Sequence, residues 1–229
     1  YKVSALLADK ALQKLILTAT GQTLYMVGLS LAIALAVGVP LGVLLVVTAP
    51  GHILPRQQLN AILSSIVNTG RSIPFVILLF LLMPITKLLV GVSIGTRGAI
   101  FPLAVAAVPF VARVVENSLR EIEPGVIEAA ESMGASPLQI IAKVLLPEAW
   151  PALLLGFTLT AINLVGYSAM AGAIGGGGLG DIAIRYGYQR FRNDVLLETV
   201  VILIVLVQVT QSVGNSLALK ASKGQRRLE

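Results

Sequence analysis

The chain has 229 residues, of which 56% are hydrophobic and only 12% are charged, and its mean hydropathy is +0.88. Soluble domains carry about 25% charged residues, so this composition excludes an ordinary soluble domain and indicates a membrane protein. With no cysteine and a single histidine, His52, the chain excludes disulfides and thiolate metal sites, and we expect no metal site. The net charge is +6, and the basic residues lie between apolar runs. The basic residues are therefore expected to flank membrane spans rather than to bind nucleic acid.

Five apolar stretches predict an all-α membrane protein with five transmembrane helices, since a span needs about 20 apolar residues. The predicted spans cover about residues 20–48, 72–90, 96–116, 149–170 and 195–218. A helix near Leu59 and Val67 precedes the second span and is expected to lie at the interface. Gly38 and Gly42 in the first span permit close helix approach, or merely loosen the helix beside Pro40. Together these stretches predict one transmembrane domain over residues 1–229.

Basic residues predict the orientation of the chain in the membrane. A compact cluster near the C-terminus favours a cytoplasmic C-terminus, and five spans then place the N-terminus outside. The cluster consists of Lys220, Lys223, Arg226 and Arg227. The opposing signal comes from basic residues that would then lie outside, namely Lys2, Lys10, Lys14, Arg185, Arg190 and Arg192.

The one long polar segment, residues 119–148, separates the third and fourth spans. Pro124 suits the first position of a short helix, which Gly134 would end in a left-handed conformation. Ser136 and Gln139 have the spacing of a capping box at the start of a second helix, which Pro147 would end. Helices this short are marginal alone in water. The segment is therefore either a docking element for another chain or a solvated connector.

The same segment resembles the EAA motif of bacterial ABC-importer permeases. The family pattern is EAA-x3-G-x9-I-x-L-P, and the only departure here is valine in place of isoleucine. The resemblance implies a cytoplasmic loop whose coupling helix fits a cleft on a separate ATPase subunit. The residues that match are Glu128, Ala129, Ala130, Gly134, Val144, Leu146 and Pro147.

About residues 23–217 resemble the permease subunits of methionine ABC importers, notably over "RSIPFVILLF" and "LVGYSAMAGAIGGGGLGD". The resemblance implies a type I importer permease fold, a homodimer in the bacterial inner membrane and two ABC ATPase subunits. It also implies a periplasmic or lipid-anchored binding protein that delivers L- or D-methionine. Because no Walker A sequence occurs, we expect ATP and Mg to bind the ATPase, and this chain to hold no cofactor and to be no enzyme.

The end of the fourth span supplies candidates for the solute pathway and its gate. Tyr167, Ser168 and Met170 combine polar groups with a soft apolar side chain, although ordinary helix packing would also explain each of them. Gly176 and Gly178 belong to a glycine run that also fits the G-x-G-x-x-G spacing of nucleotide loops. A membrane span, not a strand, precedes this run, so we expect a hinge or tight turn beside the outer gate.

Two alternatives remain at this point. A permease of the same family could carry another small solute, and a secondary transporter or channel would belong to a different class. The second class needs charged residues inside the spans, whereas Arg71, Arg113 and Glu198 lie near span ends. Arg113 and Glu116 have the i,i+3 spacing of a local ion pair.

Overall fold

The computed structural model describes residues 2–225, with side chains over residues 10–223. Arg226 and Arg227 of the predicted basic tail lie outside the described residues. Over this range the chain is helical with no β-strand, which confirms the predicted all-α class. The α-helices are α1 (Lys2–Val47), α2 (Gln57–Ser72), α3 (Phe75–Val90), α4 (Thr96–Arg120), α5 (Pro124–Ser132), α6 (Pro137–Ile140), α7 (Leu146–Glu148), α8 (Trp150–Ala171), α9 (Gly178–Ile182) and α10 (Asn193–Gln225). Wider π-helical turns occupy Ile141–Leu145, Gly172–Gly176 and Ala183–Tyr188.

Within the described part, α1, α4, α8 and α10 are long and apolar enough to cross a membrane, and the broken pair α2–α3 would make a fifth span. Several of these helices extend beyond the predicted spans, since α1 begins at Lys2 and α10 ends at Gln225. Hydropathy marks the part of a helix that lies in hydrocarbon, whereas backbone hydrogen bonding continues into polar sequence. Apolar runs alone therefore cannot give the helix ends.

The second predicted span is preceded by a separate helix, as the sequence indicated. Ile73 is extended, with φ −83° and ψ 122°, and separates α2 from α3. It precedes Pro74, whose ring disfavours helical backbone at the residue before it. The chain therefore breaks here, and α3 alone has 16 residues.

The described chain divides into two compact units, and α1, α4, α8 and α10 each contribute residues to both. The first unit comprises the described residues up to 31, together with residues 74–105 and 161–209. Its apolar core joins α1, α9 and α10 through buried side chains that include Ile16, Leu179 and Val195. The Ser30 hydroxyl donates a hydrogen bond of 3.1 Å to the Ile100 carbonyl and ties α1 to α4.

The second unit comprises residues 32–73 and 106–160 and the described residues from 210 onward. Leu45, Val67 and Ala112 form a buried cluster where α1, α2 and α4 meet. A Cβ added at Gly42 would lie 2.6 Å from the Ala112 carbonyl oxygen, and Gly38 is similarly crowded by α4. The Gly38–Gly42 pair therefore serves close helix approach rather than a loosened helix end.

Candidate functional site

The polar segment folds as two short helices joined by a glycine corner. Pro124 occupies the first turn of α5, and Gly134 has φ +78° just after that helix. The Ala135 amide donates to the Ala130 carbonyl at 3.1 Å, and the Gly134 amide donates to the Glu131 carbonyl at 2.9 Å. These two bonds form a Schellman motif, which needs the left-handed residue that glycine provides.

The second helix begins as the sequence predicted but does not end at Pro147. The Ser136 amide donates a 2.8 Å hydrogen bond to the side-chain carbonyl of Gln139, one half of a capping box. The chain then passes through a π-helical turn in which the Leu146 amide bonds to Ile141, five residues back. Pro147 follows inside α7, which ends at Glu148. The change of register at the π-helical turn accommodates the missing proline amide.

The corner between α5 and α6 exposes apolar side chains. Met133 is 82% exposed and Leu138 is 78% exposed, on either side of Gly134. Exposed apolar side chains beside a polar rim are typical of a docking surface. We call Met133, Gly134 and Leu138 the coupling corner.

The matched motif residues are divided between surface and interior. Ala130 is buried within the chain, so it packs inward and is not part of the exposed surface. Glu128 lies in the second turn of α5, because that helix begins at Pro124, and so it lies beyond the first turn, where the helix dipole favours a carboxylate. The exposed members are Glu128, Ala129, Gly134 and Pro147, whereas Val144 and Leu146 are half-buried.

A buried carboxylate lies in the same unit, at the end of α4. Glu116 is 3% exposed and accepts from Arg113 at 2.5 Å, the pair predicted from spacing, and from Arg120 at 2.9 Å. Arg113 also donates to the Asn68 side chain of α2 at 2.5 Å. Two guanidinium groups and full hydrogen bonding compensate for the burial of this charge. The cluster therefore holds α2 against α4.

The three gate candidates at the end of α8 differ in their surroundings: Tyr167 contacts another helix, Met170 is exposed and Ser168 is buried. The Tyr167 ring stacks on Phe75 of α3, with ring centroids 4.7 Å apart and planes 7° from parallel. Met170 is 48% exposed. Ser168 is buried and donates to the Val165 carbonyl at 2.7 Å, so its hydroxyl already has a partner within its own helix.

The glycine run forms a tight turn between α8 and α9, and both Gly176 and Gly178 are buried in it. The Gly178 amide donates to the Gln22 side chain and the Leu179 amide to the Thr23 hydroxyl, both at 2.9 Å. These are the amides that a phosphate would use at a helix N-terminus. Side chains of α1 occupy them, so the G-x-G-x-x-G spacing serves packing and not nucleotide binding.

The segment after the turn is largely helical. It contains α9 and the π-helical turn Ala183–Tyr188. Asp181 is buried and forms an ion pair with Arg185 four residues later. Arg190 lies over the Tyr186 ring, 4.4 Å from its centroid.

Residues 38–220 match the family of binding-protein-dependent transport system inner membrane components. The chain belongs to this family. It is accordingly a multi-pass inner-membrane permease, and its helices fit the predicted fold.

Relatives cover most of the permease. It is 55% identical over 203 residues to the probable D-methionine transport system permease protein of Vibrio cholerae, covering 89% of this chain and 90% of that protein. It is 47% identical over 172 residues to the methionine import system permease protein of Bacillus subtilis, covering 75% and 78% of the two chains.

Solved structures resemble the permease over nearly its full length. An inward-facing MetNI methionine ABC transporter matches with a TM-score of 0.90 and 47% identity, over 91% of this chain and 97% of that chain. An amino acid ABC transporter with histidines matches with a TM-score of 0.76 over 93% and 97% of the two chains. At 19% identity, the second match shows the fold alone.

Sequence reasoning missed the partners that hold these sites in place. Phe75, Gln22 and Thr23 act on residues far along the chain, the last two across 156 positions. Their signals were weak: an aromatic residue directly after Pro74, and two polar residues inside an apolar helix. Polar side chains in a membrane helix need partners, so Gln22 and Thr23 could have been identified as contact residues.

Proposed function

We propose that this permease forms the membrane pathway for uptake of methionine, as the L- and D-isomers, in an ABC importer. The permease of Vibrio cholerae, at 55% identity, is described as a probable D-methionine transporter. The observation that carries the proposal is the exposed coupling corner, within a segment that matches the EAA spacing. The chain would work as a homodimer with two ATPase subunits and a methionine-binding protein.

The geometry of the coupling corner supports the proposal that it docks on a partner ATPase. Its exposed methionine and leucine stand on a Schellman turn that fixes the angle between α5 and α6. Such a corner fits a groove on another chain, where Glu128 would contribute a charge at the rim. ATP and Mg would bind the ATPase, and closure of two ATPases would move the coupling helices as rigid bodies.

The same docking would also set the orientation of the chain in the membrane. If α5 and α6 meet an ATPase, residues 119–148 lie in the cytoplasm, the C-terminus is cytoplasmic and the N-terminus is outside. The glycine turn and α9 would then lie towards the outer side. Tyr167, held by Phe75, and the exposed Met170 are our candidates for the gate, with Gly176 and Gly178 as its turn.

The test is ATP-driven uptake of labelled L-methionine by the complete complex with its binding protein in proteoliposomes. Uptake should require ATP, and unlabelled L- and D-methionine should compete with it, whereas leucine and histidine should not. Uptake that methionine fails to compete with would assign the permease to another small solute. Uptake that persists without the ATPase would instead indicate a secondary transporter or channel.

A further inference from the structure

A cavity of about 340 Å³ lies within the first unit, beside the glycine turn. Its walls come from the early part of α1, the start of α4, the glycine run and α9. The residues that define it are Leu15, Gln22, Thr96, Asp181, Ile182 and Arg185. This volume falls at the small end of the range for ligand sites, about 300–1,000 Å³, and fits a small molecule.

The cavity presents two opposite charges at different depths. The carboxylate of Asp181 is buried, whereas its ion-pair partner Arg185 has a 56% exposed side chain at the surface of the cavity. A carboxylate has four lone-pair sites and a guanidinium has five donors, so one mutual contact leaves capacity on both groups. The hydrogen bond to Asp181 raises the pKa of the Arg185 guanidinium further above its ordinary value.

Neutral polar groups and an apolar wall complete the lining. The Thr96 side chain lies beside Gly177, and that of Gln22 accepts from the Gly178 amide and so holds the glycine turn. Both side chains line the cavity. Leu15 and Ile182 belong to the apolar cluster of this unit and supply the wall. A simple cation would use only Asp181, and a simple anion only Arg185.

We propose that this cavity is a subsite for a zwitterionic amino acid with an apolar side chain. The ammonium group would donate to Asp181, the carboxylate would accept from Arg185 and Thr96, and the side chain would lie along Leu15 and Ile182. The two charges select the zwitterion, and the choice of methionine rests on the proposed function. A bound amino acid would link α1, α4 and α9 around the glycine turn.

The experiment uses the complete importer complex, free of binding protein, in nanodiscs with a photoreactive diazirine analogue of L-methionine. Irradiation should label the peptides that contain Leu15 or Ile182, and excess L-methionine should prevent this labelling. Methionine methyl ester lacks the carboxylate charge, 4-(methylthio)butanoic acid lacks the ammonium group, and both should fail to prevent it. No labelling of these peptides, or protection by either one-charge analogue as strong as by methionine, would overturn the proposal.

Asp181→Asn keeps the size of the side chain, and it should reduce labelling about tenfold, as expected when one charged hydrogen bond is lost. Arg185→Gln should act similarly. Asp194→Asn is the matched control, because Asp194 pairs with Arg192 at 2.5 Å but does not line the cavity. If Asp181→Asn fails to assemble, Thr96→Val provides the test and should reduce labelling about threefold. Labelling unchanged by the lining variants, or reduced equally by the control, would overturn the site.

Two further comparisons separate this site from lipid binding and from the transport proposal. A phosphatidylethanolamine headgroup also combines an ammonium with an anion, so nanodiscs with and without this lipid should give equal labelling. Loss of labelling only in its presence would make the cavity a lipid site. Uptake is measured in parallel: absent methionine uptake by the wild-type complex contradicts the proposed function, whereas normal uptake with unaltered labelling of Asp181→Asn contradicts the subsite alone.

Discussion

The coupling corner and the glycine turn each use a left-handed glycine to redirect the chain, but their surroundings are opposite. Gly134 has φ +78° and open space around it, whereas a Cβ at Gly178, with φ +77°, would lie 2.7 Å from the Thr23 hydroxyl. Apolar side chains beside Gly134 are exposed, while the amides beside Gly178 are bonded to α1. The first corner is held by its own backbone hydrogen bonds, and its exposed side chains remain accessible to another chain. The second is held by its own chain.

The largest expected effect tests the crowded turn. Gly178→Ala should destabilise the complex by about 2–5 kcal/mol, since left-handed backbone costs about 1–2 kcal/mol and overpacking about 1–3 kcal/mol. The Met26 methyl, 2.8 Å from the new Cβ, can move, but Thr23 cannot move without losing its bond to the Leu179 amide. Thermal unfolding and methionine uptake measure the loss, and ATP affinity should not change.

Gly51 is the matched control for this change. It has φ +78° and nothing within 4 Å of an added Cβ, so Gly51→Ala should cost only the backbone term of about 1–2 kcal/mol. Equal losses at the two positions would show that crowding by α1 contributes nothing. A weakened ATP site in Gly178→Ala would contradict the packing role of the glycine run.

The next effect tests the open corner. Gly134→Val should cost only about 1–2 kcal/mol of stability, because the space is free and only the left-handed backbone is strained. The distorted angle between α5 and α6 should nevertheless reduce transport about tenfold while the dimer assembles and ATP hydrolysis continues. Unchanged uptake per ATP hydrolysed in proteoliposomes would count against coupling through this corner.

Local sequence signals predicted the corner well and the glycine turn poorly. Pro124, Gly134, Ser136 and Gln139 act within a few residues of one another, so their spacing alone predicts the caps that the structure contains. The bonds that hold the glycine turn join residues 156 positions apart. The periodicity of apolar residues in a sequence cannot predict contacts between residues so far apart.

Burial separated residues that the sequence treats alike. Ala129 and Ala130 are equivalent in the motif, yet the first is exposed and the second is buried. Ala130 and Met133 have the i,i+3 spacing of one helix face, yet Met133 is 82% exposed. Which face of a short helix packs inward depends on neighbouring helices, and the helix sequence does not contain that information.

A smaller effect tests what covers the exposed apolar residues. Replacing either Met133 or Leu138 by serine should weaken association with the ATPase about tenfold or more, since one large apolar side chain contributes about 1.5–3 kcal/mol when buried. Phe191→Ser is the control, because Phe191 is 87% exposed and belongs to the first unit, which contains the glycine turn. Copurification at increasing salt and detergent measures retention of the ATPase. Equal loss in the control would show that the coupling corner contributes no more to ATPase binding than an exposed apolar residue elsewhere.

The smallest expected effect tests the electrostatics behind the coupling segment. Burial lowers the pKa of His52, Arg120 lowers it further, and Glu131 of α5 partly opposes them. The unfolded chain then binds more protons than the folded chain below about pH 6.5, so stability is retained above that pH and falls as the pH drops towards the folded-state pKa. His52 is the only histidine of the chain, so His52→Gln removes the whole contribution of histidine to the pH dependence of stability. The melting temperature should fall about 1–2 °C less in the variant than in the wild type between pH 7.5 and 5.5. An equal fall in both proteins would show that His52 does not sense the charges of the coupling segment.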